Sequence, residues 1–256
     1  MAKKALITGA TSGIGKAIAV KFAENGYHLI ITGRREERLK NLANDLKDRF
    51  SIEVLELHLD IRSKDSVFAT FESISEQWTD IDVLVNNAGL AVGVNKIFEG
   101  EIEDWERMID TNIKGLLYVS RAVMPQMVKN NSGHIINIGS IAGKEVYPNG
   151  NVYCGTKHAV DAITKAMRID ALEHNIRVTQ IAPGAVETEF SIVRYKGDKD
   201  KADNVYQGFE PLKAEDIAEV TWFTANQPKH VNINDLVIMP TAQANSSTFN
   251  KSGNKK

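Results

Sequence analysis

The chain has 256 residues, 43% of them hydrophobic and 25% charged, with 31 basic against 33 acidic side chains and a net charge of -2. That length accommodates one large α/β domain, and so even a charge balance excludes a general electrostatic attraction to nucleic acid. Cys154 is the single cysteine, which rules out an intrachain disulfide and fits a reducing compartment. No apolar run approaches the ~20 residues of a membrane span, so a cytoplasmic location without membrane partners is expected.

Residues 5–8 read as a short buried strand and lead into Gly9-Ala10-Thr11-Ser12-Gly13-Ile14-Gly15. A helix with apolar positions at Ile14, Ala17, Ile18 and Phe22 follows, then a second β-rich run over 28–32. Strand, glycine loop, helix and strand in this order open a dinucleotide fold, whose glycines let the backbone approach a pyrophosphate at the helix N-terminus. The second strand ends in Thr32-Gly33-Arg34-Arg35 rather than in the acid that usually meets the ribose hydroxyls of NAD. Two guanidiniums suit a 2'-phosphate, so NADP(H) is the expected cofactor. The competing reading makes Arg34 and Arg35 the start of a charged helix, 35–49, paired with Glu36 and Glu37.

A third strand spans 51–59 and ends at Asp60; a polar helix covers 63–78. The fourth strand, 81–85, delivers Asn86-Asn87-Ala88-Gly89, small and amide-bearing residues suited to a crevice in which a cofactor passes close to the backbone. Residues 103–129 read as mostly helical, and Asn112 lies in a polar stretch of an otherwise apolar stripe, either a helix irregularity or a functional amide. The fifth strand, 134–138, ends in Gly139-Ser140, on the rim that Asn87 also reaches. Helix 152–174, strand 175–181, helix 215–225 and strand 235–239 complete an expected single-domain α/β Rossmann fold, a doubly wound parallel sheet of about seven strands. Between them, 189–213 reads as a long irregular segment and a candidate substrate lid, and the Ser/Asn/Lys-rich 243–256 as a flexible tail.

Tyr153 and Lys157 are four residues apart at the start of helix 152–174, which places both on one face. An ammonium beside a phenol favours the phenolate and is expected to lower the tyrosine pKa, which suits proton transfer. Ser140, thirteen residues before the tyrosine, adds a hydroxyl for the oxygen that receives the proton. Arg194 is the candidate partner for an acidic substrate, with Tyr147 and Phe190 shaping the pocket; the bland alternative leaves Arg194 and Lys196 on a solvated face. Cys154 is expected to be an inert core residue. No metal is expected.

Taken together, Thr8 to Gly15, Asn86 to Gly89, Asn112, Ser140, Tyr153 with Lys157, and Pro183-Gly184 with Thr188 resemble the short-chain dehydrogenase/reductase family over about residues 3–240. Gly143 to Lys157 and Glu189 to Asp198 are similar to its NADP-dependent 3-hydroxy acid dehydrogenases, the serine and allo-threonine group. The resemblance implies Tyr153 as general acid and base and Lys157 as holder of the nicotinamide ribose. It implies Ser140 as the orienter of the substrate oxygen and Asn112 as the anchor of a relay water. It places Asp60 and Asn86 along the adenosine half, counts Ala88 and Gly89 among the cofactor-binding residues, and puts Pro183, Gly184, Val186 and Thr188 at the nicotinamide end, with hydride on the pro-S face. A homotetramer is implied as well. The expected reaction is hydride exchange between NADP(H) and small 3-hydroxy acids. The alternatives are reduction of 3-oxoacyl thioesters, dicarbonyls or pterins, and a non-catalytic NADP-binding regulator.

Overall fold

A computed structural model describes residues 2–252. Seven parallel strands form one sheet in the order β3-β2-β1-β4-β5-β6-β7: β1 (Lys4–Ile7), β2 (His28–Gly33), β3 (Val54–His58), β4 (Val83–Asn86), β5 (Gly133–Ile138), β6 (Ile176–Pro183) and β7 (Asp235–Ile238). The five inner strands, β1, β2, β4, β5 and β6, are largely buried on both faces, so they read as apolar runs whose alternate residues feed different layers, whereas the edge strands β3 and β7 are partly exposed. Ala5, Ile7, Val83 and Val85 pack with Ile18 and Phe22 of α1 (Gly13–Glu24), Leu39 and Leu46 of α2 (Glu36–Phe50) and Ile217 of the late helix Ala214–Ala225. Leu6, Leu84, Ile135 and Val178 face the other way. They meet Val67 of α3 (Lys64–Ser73), Val119 and Val123 of the helix Leu116–Lys129, and Val160 and Met167 of the helix Asn151–Asp170.

The strand order reverses between β1 and β4, and the crevice outside their C-terminal ends is where such sheets bind ligands. Thr8 fastens the two loops that leave this point. Its hydroxyl donates to Val85 O and accepts from the backbone N–H groups of Asn87 and Ala88, the latter two at 3.0 Å. Gly9 has φ +68°, and a Cβ there would lie 2.9 Å from Ala88 Cα. One on Gly15 would lie 2.4 Å from Gly9 O. Any side chain at either position would wedge the loops apart.

The helix expected over 103–129 is three pieces: α4 (Ile102–Ile109), a π-helical turn Asp110–Gly115, and α5 (Leu116–Lys129). The helix-irregularity reading of Asn112 therefore applies, since it lies inside the π-helical turn, where it is buried. After α6 (Asn151–Asp170), the expected irregular segment 189–213 carries two short helices, α7 (Phe190–Arg194) and α8 (Lys199–Asn204), before α9 (Ala214–Ala225). Five- and six-residue helices show too few turns for a period to be read from sequence.

Residues 243–252, within the expected flexible tail, make contacts with distant parts of the chain. Gln243 Oε1 accepts from Ala185 N at 2.8 Å, Ser246 N donates to Glu145 Oε2 at 2.8 Å, and the rings of Phe249 and Phe209 are 4.9 Å apart. Polar composition suggested solvation, but these groups are consumed by contacts to distant parts of the chain. The part of that expectation covering 253–256 lies outside the described residues. Among the described residues no helix is long and apolar enough to cross a membrane.

Candidate active site

A cavity of about 630 Å³ runs from the glycine loop to α7, along the C-terminal strand edge. Of the residues singled out in the sequence, Gly9, Thr11, Ser12, Gly13, Ile14, Gly15, Arg34, Arg35, Asp60, Ala88, Gly89, Pro183, Gly184, Val186 and Thr188 line it. So do Ser140, Tyr147, Tyr153, Lys157, Phe190 and Arg194. The cavity walls thus combine a backbone cradle at a helix N-terminus with a proton-bearing cluster, and a dinucleotide fits that combination.

Two selected residues do not line it. Asn86 is two positions beyond Leu84 on β4 and shares its face, so its side chain turns into the α5–α6 layer. Its Nδ2 donates to Ser120 Oγ at 3.0 Å and to Asn137 Oδ1 at 2.9 Å, and Asn137 Nδ2 donates to Thr164 Oγ1 at 2.9 Å. The cavity wall at this strand end is Asn87 instead, whose Nδ2 donates to Thr8 O and Gly9 O. Asn112 is the second. Its Oδ1 accepts from Leu90 N at 2.8 Å, and its Nδ2 donates to Leu90 O at 2.8 Å and Thr156 Oγ1 at 3.0 Å. Both amide protons are therefore committed, one to the 89–90 turn and one to Thr156 of α6, and only a carbonyl lone pair is left for a water.

At the glycine-loop end the two arginines diverge. Arg35 donates from Nε and NH2 to Thr11 Oγ1 (3.1 and 2.9 Å) and from NH2 to Ser12 Oγ (2.6 Å). Its ion-pair partner is Glu189 at 2.7 Å, not Glu36 or Glu37. Arg34 feels the charges of Asp60, Arg62 and Arg107, and partial desolvation lowers its pKa. Asp60 is gripped by both Nε and NH2 of Arg62, which holds its carboxyl below the usual range.

At the other end, Ser140 ends β5 in extended backbone and its hydroxyl accepts from Ala142 N at 3.1 Å. Tyr153 is buried between this serine and Phe190, whose ring centroid is 5.7 Å away. The expected depression of the Tyr153 pKa by Lys157 is overturned. Burial pushes the phenol above its ordinary value, and the hydrogen bond from Ser140 and the charge of Arg194 pull it only part of the way back. Lys157 Nζ donates to Ile138 O at 2.9 Å, and burial lowers its own pKa to about 8. Desolvation thus outweighs the attraction that the four-residue spacing suggested.

Arg194 lies with its guanidinium 5.1 Å over the Tyr147 ring, and its Nε is buried with no hydrogen-bond partner. Among the described residues it has no acidic partner within ion-pair distance, whereas Lys196 is held by Glu101 and Asp104 at 2.8 Å each. The solvated-face alternative therefore fits Lys196 and fails for Arg194. Cys154 is buried and its thiol pKa is raised, as suits an inert core residue. Sequence reasoning did not select Asn87, Arg107, Glu189, Gln243, Ser246 or Phe249 as wall residues. Asn87 and Glu189 belong to motifs already in view; the last three carried no local signal.

A parallel sheet with a glycine cradle at its switch point, and a half-buried serine with a buried tyrosine and lysine beside it, defines a dinucleotide-dependent enzyme class. Residues 3–198 match the family described as short chain dehydrogenase, and the chain belongs to that family. It is 50% identical over 240 residues to the NADP-dependent 3-hydroxy acid dehydrogenase YdfG of Salmonella typhi, covering 93% of this chain and 95% of that one. It is 45% identical over 240 residues to sulfoacetaldehyde reductase 2 of Chromohalobacter salexigens, covering 93% and 94%. Among solved structures, the closed form of serine dehydrogenase complexed with NADP+ aligns with a TM-score of 0.90 at 46% identity, covering 95% of this chain and 97% of that one.

Proposed function

We propose that this NADP-dependent short-chain oxidoreductase interconverts the hydroxyl and oxo forms of small 3-hydroxy acids, including serine, L-allo-threonine, 3-hydroxypropionate and 3-hydroxyisobutyrate. The observation that carries this reading is Arg194, a cation with no acidic partner among the described residues, facing the same cavity as Ser140 and Tyr153. A guanidinium so placed suits a carboxylate, which it can grip with two parallel N–H donors. The names of the Salmonella relative and of the serine dehydrogenase support the same class.

NADP(H), when bound, supplies or accepts the hydride. The fit of the site to it rests on the Gly9 and Gly15 cradle and on the convergence of Arg35, Thr11 and Ser12 where a 2'-phosphate would lie. Ser140 orients the substrate oxygen by its hydroxyl. Tyr153, kept protonated at neutral pH by burial, gives its proton to that oxygen during reduction and takes it back during oxidation. Lys157 holds ribose hydroxyls from the floor of the cavity. Asn112 acts by keeping the 89–90 turn beside it: a Cβ on Gly89 would lie 3.2 Å from Asn112 Oδ1 and 3.6 Å from Lys157 Nζ. The 189–213 segment serves as a lid, anchored through Lys196 to the start of α4.

A panel of short hydroxy acids and uncharged alcohols, run in both directions with Arg194→Leu, tests the substrate class. The variant should raise KM for acids about 30- to 150-fold, the worth of a charged hydrogen-bonded contact, and leave uncharged substrates nearly unchanged. Equal losses on both kinds would sink the carboxylate reading. Sulfoacetaldehyde belongs in the panel, because the same guanidinium suits a sulfonate and one relative bears that activity in its name.

We also propose a homotetramer. Ile97, Phe98, Ile102 and Leu117 leave large side chains exposed around α4 and α5, and Leu172, Phe223 and Val237 leave others near the β7 edge. Two separate apolar areas suit the two interfaces of a dimer of dimers. Light scattering should return four times the mass of the chain; a monomer at micromolar concentration would refute the assembly.

A further inference from the structure

Glu189 joins the two ends of the cavity by a contact that neither proton transfer nor substrate binding requires. It is the residue before α7, and its carboxylate meets Arg35 NH1 at 2.7 Å and Arg38 NH1 at 2.8 and 3.1 Å. The other edge of Arg35 is taken by Thr11 and Ser12. A phosphate approaching these two hydroxyls and this guanidinium finds the guanidinium's donors already engaged and a negative charge within reach of the same group.

We infer that Glu189 is a specificity-determining residue, an internal anion that neutralises Arg35 and Arg38 and that the 2'-phosphate of NADP(H) must displace. The inference rests on the reading of Arg35, Thr11 and Ser12 as the 2'-phosphate site. A phosphate brings a charge of about -1.5 to -2 and three acceptor oxygens, so it wins the exchange against a single carboxylate. NAD(H) has no phosphate there and requires no exchange. Glu189 therefore lowers the affinity for the phosphorylated coenzyme alone, reducing the discrimination that the arginines would otherwise give. The displaced carboxylate is continuous with the segment bearing Phe190 and Arg194, so the exchange also frees the base of α7 from α2. The effect is limited by solvent, since the side chains of Arg35 and Glu189 are 43% and 50% exposed.

Calorimetric titration of the full chain with NADP+, NAD+ and adenosine 2',5'-bisphosphate tests this, in wild type, Glu189→Gln, Arg35→Ala/Arg38→Ala and the triple variant. Glu189→Gln should bind NADP+ and the bisphosphate about three- to tenfold more tightly and NAD+ as wild type does. The gain should vanish when both arginines are absent, and Glu189→Asp should fall between wild type and Glu189→Gln. Weaker or unchanged NADP+ binding by Glu189→Gln overturns the inference, as does an equal gain for NAD+. If the double arginine variant keeps the wild-type preference for NADP+ over NAD+, the phosphate-site reading itself fails, and that result is distinct from a failure of Glu189 alone.

Discussion

Tyr153→Phe should lower kcat by about 10³- to 10⁴-fold in both directions while NADP+ affinity stays within about threefold of wild type. The ring is buried against Phe190, and phenylalanine preserves that packing while removing the only atom that carries the transferred proton. A loss of only a few-fold in both directions would mean that the proton has a second route. A normal rate would remove Tyr153 from the chemistry and revive the reading of the chain as an NADP-binding regulator. Because burial raises the phenol's pKa, the acid form needed for reduction is retained through neutral pH, and oxidation should become faster as pH rises.

Lys157→Met should lose about 10²- to 10³-fold in kcat/KM and yet make the protein more stable at neutral pH. Lys157 is buried, and its pKa falls from its ordinary 10.5 to about 8. The unfolded chain therefore binds this proton more readily than the folded one, and wild-type stability should climb as pH rises from about 8 to 10.5. Below that window the buried charge opposes folding by about 3 kcal/mol, from ~1.4 kcal/mol per pKa unit. Loss of the hydrogen bond to Ile138 O returns about 1 kcal/mol of this, leaving a net gain of about 1–3 kcal/mol for methionine. Urea unfolding at neutral pH measures it, and a methionine variant less stable than wild type would show that the ammonium is well solvated. The position illustrates a functional group held against the preference of the fold.

What could be read from residues alone followed from locality. The glycine loop, the strand-end asparagines and the Tyr153–Lys157 spacing are short patterns whose chemistry is fixed by near neighbours. Buried parallel strands leave apolar runs that are plain in a sequence. Which of Asn86 and Asn87 turns its side chain to the cavity depends on strand parity, because consecutive residues face opposite layers and the end of β4 settles which one meets the cavity. The pKa directions of Tyr153 and Lys157 were not legible because they depend on burial by α7 and β5 rather than on their mutual spacing. Arg35 found its ion-pair partner at Glu189, 154 positions away, where the adjacent Glu36 and Glu37 had seemed sufficient. Gln243 and Phe249 joined the wall through tertiary contacts that their polar surroundings in sequence concealed.

The π-helical turn at Asp110–Gly115 gives the Asn112 amide an address that residue identity alone does not specify. A wider turn offsets the winding of α5 from that of α4 by one residue, about 100° of rotation at 3.6 residues per turn. The asparagine's aim at Leu90 and Thr156 is thus encoded as a phase difference between two helices. Two chains with the same letters through this region but one residue more or fewer would align with a trivial gap, yet they would point different side chains at the cavity floor.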